Sequence, residues 1–140
     1  MNVVYDKALE ALLAALGGST PTGTLKALLI DASAYTVDET HHYLSSVPSG
    51  ARIGSAVALS GVTFTDGVLN ATSPITFTAP PSGNEVDAVL LYMHTGTDAT
   101  SLLVAYIDTG YGLPLQTNGN DVDIVIDPTD GILFLVVEAA

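Results

Sequence analysis

The sequence predicts an all-β domain, an antiparallel sandwich or barrel, preceded by one N-terminal α-helix. Three observations carry that expectation. From Thr24 onward the chain is a series of short apolar runs rich in Val, Ile, Leu, Tyr and Thr. Gly-, Pro- and Asp-rich turn signals separate these runs about every 8–12 residues, the spacing of antiparallel sheets rather than of βαβ units. Strong helix formers are concentrated in Val3–Leu16 alone. A length of 140 residues fits one domain. A domain of that order buries roughly 68–70% of its unfolded surface and folds without a disulfide or metal staple.

In the helical segment, Asn2 is the expected N-cap and Gly17-Gly18 the stop. Asp6, Lys7 and Glu10 share a narrow arc, and Tyr5, Leu9, Leu12, Leu13 and Leu16 fill the broad remainder. Two readings follow: a helix closing one end of its own sandwich, or an arm docked on a neighbouring subunit. The narrow polar arc and the Gly/Ser/Thr/Pro linker after it favour the arm. Residues 1–18 are therefore expected to touch a different chain, with Tyr5, Leu9, Leu12, Leu13 and Leu16 as the candidate interface. Residues 19–23 are the linker and 24–140 the β domain.

Leu25–Ile30 reads as the first strand, and Asp38–Val47 is ambiguous between a short helix and a loop. Arg52–Leu59 follows, then Val62–Thr65 and Val68–Ala71 around the hairpin turn Asp66-Gly67. Ile75–Thr78 precedes a Pro80-Pro81-Ser82-Gly83 turn. Val86–His94 and Leu102–Asp108 are the strongest strands; Val122–Ile126 and Ile132–Val137 flank the turn Asp127-Pro128-Thr129-Asp130-Gly131.

Charge narrows the function classes. Lys7, Lys26 and Arg52 stand against fifteen acidic residues, a formal net charge of −12. Three cations in such a field cannot neutralise phosphates, which excludes nucleic acid and anionic membrane surfaces as partners. Basic or neutral protein surfaces remain. Charged residues are 13% of the chain, about half the usual share, and mean hydropathy is +0.45. The surface is expected either to be covered by other subunits or to be a Thr-rich β surface of a monomer. Apolar stretches such as Ala88–Met93 and Ile132–Val137 fall short of the ~20 residues of a spanning helix. The N-terminus lacks the basic start and clean apolar run of a signal peptide, so synthesis in the cytosol is expected.

No catalytic, cofactor-binding or metal-ligating residue is expected. Absence of Cys removes disulfides, thiolate metal sites and a Cys nucleophile together. The histidines are His41, His42 and His94. Neighbouring histidines diverge on a strand or a helix, which suits joint metal binding poorly. No G-x-S-x-G, phosphate loop or cupin-like His-x-His spacing is present. The segment from Asn118 to Asp130 is acidic enough to suggest calcium. Its alternation instead reads as a half-buried strand, with Asp121, Asp123, Val125 and Asp127 outward and Val122, Ile124 and Ile126 inward. Tyr106 and Tyr111 could form a modest sugar-stacking platform, although structural roles fit them as well.

The stretch Leu25–Leu135 resembles the small cement, or decoration, proteins of tailed double-stranded DNA bacteriophage capsids. The residues carrying the resemblance are Lys26-Ala27-Leu28-Leu29-Ile30-Asp31, Tyr35, His41-His42-Tyr43-Leu44 and Val47. They continue through Ala88-Val89-Leu90-Leu91-Tyr92, Thr95-Gly96, Ser101-Leu102-Leu103-Val104-Ala105-Tyr106-Ile107-Asp108, Gly112-Leu113-Pro114 and Gly131-Ile132. The resemblance implies a jelly-roll-like antiparallel β-sandwich and a virion structural protein without enzymatic activity. It also implies a homodimer or trimer bound to the major capsid protein on the capsid exterior, present in the host cytoplasm during assembly. It lends no functional residue. The alternatives are a carbohydrate-binding or adhesin-like β module, as on a phage fibre or a cell surface, and a small jelly-roll enzyme.

Overall fold

A computed structural model describes residues 2–15, 23–65, 68–110, 112–126 and 133–134. In chain order its elements are β1 (Val3–Val4), α1 (Asp6–Ala15), β2 (Thr24–Ile30), β3 (Arg52–Ala58), β4 (Thr63–Thr65) and β5 (Val68–Asn70). They continue as β6 (Ile75–Phe77), β7 (Glu85–Val86), β8 (Ala88–His94), β9 (Leu102–Ile107), β10 (Leu115–Gln116), β11 (Val122–Ile124) and β12 (Leu133–Phe134). The chain is the all-β sandwich with an N-terminal helix that the sequence predicts.

A five-stranded antiparallel sheet in the order β1-β9-β8-β2-β3 forms its centre. The register places Leu28 beside Leu90 and Leu90 beside Tyr106, while Leu29 meets Val89 and Val89 meets Ile107. Successive side chains alternate between faces. Both rows are apolar, which explains why β2, β8 and β9 read as unbroken hydrophobic runs. Most antiparallel sheets keep one face wet; this one is buried on both.

The faces are covered differently. Over one lie Tyr5, Ala8 of α1, and Tyr35, Leu44, Val47 and Ala51 from the segment between β2 and β3. That segment is largely irregular, with single 3-10 turns at Leu44–Ser46 and Ser49–Ala51. Over the other lie Ile75, Phe77, Val86, Ile124 and Ile126. These belong to a second layer of three short antiparallel sheets: β12-β5-β4, β11-β6 and β10-β7.

The outer edge of β9 is closed by two separate segments. β1 pairs at Ala105 and Tyr106. Further along, the Leu44 N–H donates to the Ser101 carbonyl at 2.8 Å and the Leu103 N–H donates to the His42 carbonyl at 2.9 Å. Between them a bulge at Val104 leaves a carbonyl free to accept the Tyr5 N–H at 3.1 Å.

Several boundaries depart from expectation. The helix begins at Asp6 rather than Val3, because β-branched Val3 and Val4 pair with the exposed edge of β9. Asn2 does not cap α1. Its Oδ1 accepts the N–H groups of Asp108 and Thr109 at 3.0 and 3.2 Å and ties the N-terminus to the end of β9. The start of the helix is marked by the Tyr5 carbonyl, which accepts from Ala8 and Leu9. The first residues of the expected 1–18 arm are thus woven into the central sheet.

The expected strand Val86–His94 is divided at Asp87. Its N–H donates to the Ile30 carbonyl and its carboxylate accepts the Ala32 N–H at 2.8 Å, so the chain changes partners there. The two-residue strand β10 has no sequence signal of its own and exists by pairing with β7. Glycine at position 23 is required: its φ is +123°, and a Cβ there would lie 2.5 Å from the His94 carbonyl oxygen. The turns at 66–67 and 127–131 and most of linker 19–23 lie outside the described residues.

Candidate functional site

Among the described residues those with chemical potential are distributed, and several are engaged in holding loops. Asp31 accepts from the backbone and hydroxyl of Ser33 at 2.9 and 2.6 Å, and Asp38 accepts in the same way from Thr40. These hydroxyl and amide donors hold both carboxyls below the usual carboxylate range. Asp121 accepts the Ala79 N–H at 2.8 Å, and Asp123 accepts the Thr76 hydroxyl at 2.7 Å. The expected alternation in this strand is present: Ile124 and Ile126 are buried, and Val125 is 64% exposed. Among the described residues no group of three or more His, Asp or Glu side chains could hold a metal ion; Asp127 and Asp130 lie outside them.

Arg52 is a clamp. Its Nη2 donates to the carbonyls of Leu44 and Val47 at 2.9 and 2.7 Å, Nε donates to Val47, and Nη1 pairs with Asp98 at 2.9 Å. One planar guanidinium therefore satisfies the carbonyls of a 3-10 turn packed on the central sheet.

The two adjacent histidines diverge. His42 is exposed and sets its ring edge-on to Tyr43 at 6.0 Å. His41 turns inward, and its Nδ1 lies 3.0 Å from the Tyr35 hydroxyl, which lies 3.0 Å from the Tyr5 hydroxyl. Burial is the main reason the Tyr5 and Tyr35 hydroxyls are pushed above the usual tyrosine range. Sequence reasoning missed this chain because Tyr5, Tyr35 and His41 meet only through tertiary packing.

Tyr5 is consequently a core residue rather than an interface residue: it is fully buried under its own chain. Leu9 is half-buried. The side chains of Leu12 and Leu13, and all of Leu16, lie outside the described residues. Tyr106 is also in the core, with its hydroxyl pushed up to about 12 chiefly by burial, and so forms no sugar platform. Tyr111 lies outside the described residues.

A surface does emerge at the end of the second layer. Ser60, Gly61, Val62 and Thr63 are all exposed, as are Thr72, Ser73 and Pro74. The two segments are tied together by the Thr72 N–H donating to the Ser60 carbonyl at 2.8 Å. Ser73 Oγ in turn accepts the Ile126 N–H at 2.9 Å, which brings Val125 to the same end. Val62 and Val125, at 44% and 64% exposure, are large hydrophobics left in solvent. None of these eight residues carries charge, in a chain of net charge −12. Depletion of charge is one feature that the core of an interface shares. The sequence contains this signal as the runs Ser-Gly-Val-Thr and Thr-Ser-Pro, but their adjacency is visible only in the fold.

No protein-family model matches the chain, and no curated protein matches it at a significant level.

Proposed function

We propose that the chain is a virion structural protein, a cement protein that binds the outside of an assembled phage capsid and stabilises it. The observation that carries this reading is the group of exposed, uncharged residues Ser60–Thr63 and Thr72–Pro74, joined by the exposed Val125. A sheet buried on both faces makes a stiff body, and a stiff body is what bridging neighbouring capsomers requires. The sequence resemblance over Leu25–Leu135 points the same way. Apolar and hydroxyl contact at this end would supply retention. An oligomer, dimer or trimer, would multiply weak contacts through effective concentration. The acidic remainder of the surface would assist encounter with a basic coat patch, where exposed ion pairs add only about 0–1 kcal/mol each.

The test is sedimentation with capsids assembled from the major capsid protein encoded on the same genome. The wild-type chain should pellet with capsids and raise the temperature at which they rupture. Val62→Asp with Val125→Asp should remain folded, since both sites are exposed, and stay in the supernatant. A wild-type chain that never pellets, yet is retained on immobilised glycans, would replace this reading with the carbohydrate-binding one.

A further inference from the structure

We propose that Asn118-Gly119 is a self-modifying site whose isoaspartyl product loosens the join between β10 and the loop before β7. Asparagines stand at positions 2, 70, 84, 118 and 120, and only Asn118 is followed by glycine. A following side chain crowds the backbone nitrogen that must attack the asparagine amide, and glycine has none. Apart from its chain neighbours, no heavy atom lies within 4 Å of where a Cβ on Gly119 would stand. Asn118, Gly119 and Asn120 are all exposed. The Gly119 N–H has no hydrogen-bond acceptor among the described residues. Asn118 Oδ1 accepts the Asn120 N–H at 3.0 Å, an Asx turn that folds the side-chain carbonyl back along its own backbone. The same donor polarises that carbonyl and is placed to stabilise the oxyanion formed on attack. Other asparagines are held elsewhere. Asn2 Oδ1 ties Asp108 and Thr109 ahead of β-branched Val3, and Asn84 Nδ2 donates to the Pro81 carbonyl at 3.0 Å.

The Gly119 nitrogen forms a bond to Asn118 Cγ as it gives its proton to solvent. The Cγ–Nδ2 bond breaks, a proton returns to the departing amine, and ammonia leaves behind a succinimide ring. Water, the only co-reactant, then adds across one of the two ring C–N bonds. Opening at Cγ gives aspartate. Opening at the Asn118 main-chain carbonyl routes the backbone through Cγ and gives isoaspartate. The chain is anchored on both sides of this change. Thr117 is 4% exposed. Its N–H donates to the Asn84 carbonyl and its carbonyl accepts the Gly83 N–H, both at 2.9 Å. Its hydroxyl donates to the Pro81 carbonyl at 2.6 Å and accepts the Asn84 N–H at 2.9 Å. On the other side, Asp121 is fixed on the Ala79 N–H. Aspartate keeps the backbone length and the acceptor for Asn120. Isoaspartate adds a carbon to the main chain between two fixed points and moves that acceptor. The Thr117 bonds adjoin the change and are the ones to yield.

Peptide mapping of the whole folded chain, held at neutral pH and sampled over weeks, tests the site by mass spectrometry with electron-transfer fragmentation. Conversion at Asn118 should exceed that at every other asparagine by an order of magnitude, and isoaspartate should appear beside aspartate. Isoaspartate arises only through the ring. No conversion, aspartate alone at this position, or faster ammonia loss at another asparagine would overturn the site. Asn118→Ser has no amide to lose and should leave this turn unchanged in mass over the same period. Hydrogen exchange on the separated forms tests the loosening. Protection of the Gly83, Asn84 and Thr117 amides should fall severalfold in the isoaspartyl form, while Asn118→Asp should match the unmodified chain. An isoaspartyl form as well protected as the unmodified chain would overturn the loosening.

Discussion

The two faces of the central sheet bury their rows of side chains by different means. The face under β6, β7 and β11 is closed by Ile75, Phe77, Val86, Ile124 and Ile126, and its buried cluster contains no tyrosine among the described residues. The face under α1 and the β2–β3 segment holds four: Tyr5, Tyr35, Tyr92 and Tyr106. Regular strands satisfy their own backbone, so the cover over the first face can be purely hydrocarbon. The irregular cover over the second cannot satisfy its backbone within itself. It borrows Arg52 for the Leu44 and Val47 carbonyls and uses hydroxyl-bearing side chains where aliphatic ones would otherwise pack. One face is stabilised by shape and area, the other by area plus a set of obligatory hydrogen bonds.

That contrast makes the faces sensitive to different substitutions. The largest effect is expected at Phe77, which is 2% exposed. Phe77→Ala should lower unfolding free energy by about 3–5 kcal/mol in denaturant melts, through lost transfer energy and a cavity. A loss below about 1 kcal/mol would mean that the small sheets are a loose cover rather than half of the core.

The tyrosine face should respond to single atoms. Tyr35→Phe removes the acceptor of the buried Tyr5 hydroxyl and should cost about 1–3 kcal/mol. Tyr5→Phe removes only the terminal donor and should cost less. In the double variant no inner donor is orphaned, so it should be more stable than Tyr35→Phe alone. Strictly additive losses in this cycle would show that the three groups do not act as one chain.

The smallest effect concerns the loop ties on the same side. The Asp38 carboxyl is held below its usual value by the Thr40 hydroxyl and amide. A depressed folded value contributes stability that is present above the unfolded value, about 3.9, and is lost as pH falls through the folded one. The midpoint of urea unfolding should therefore drop as pH falls below about 4, and Asp38→Asn should lower the neutral midpoint slightly and flatten that drop. An unaltered acid slope in the variant would assign the loss to other carboxylates.

Much of the architecture was legible before any coordinates. Leu25–Ile30, Arg52–Leu59 and Leu102–Asp108 each become a strand within a residue or so of the expected bounds, because each is a β-rich run between turn residues. The outward Asp121, Asp123 and Val125 follow from simple alternation. The helix is legible but its start is not, since the apolar arc extends back to Tyr5 while the edge of β9 claims Val3 and Val4. Periodicity places Tyr5 on the apolar arc and so predicts it at an interface. Periodicity says that such an arc must be covered, not by what.

The sequence by itself determined the all-β class, the N-terminal helix, the acidic charge and the rows of side chains that had to be buried. These depend on composition and on relations between residues a few positions apart. Only the tertiary structure decided that both faces of one sheet are covered, that Tyr5, Tyr35 and His41 form a chain, and that Val62, Ser73 and Val125 share one end. These depend on contacts between residues thirty or more positions apart in the Tyr5–Tyr35 and Ser73–Ile126 cases. Such contacts are fixed by which surfaces pack against which, and a local pattern of apolar and polar residues does not encode that choice.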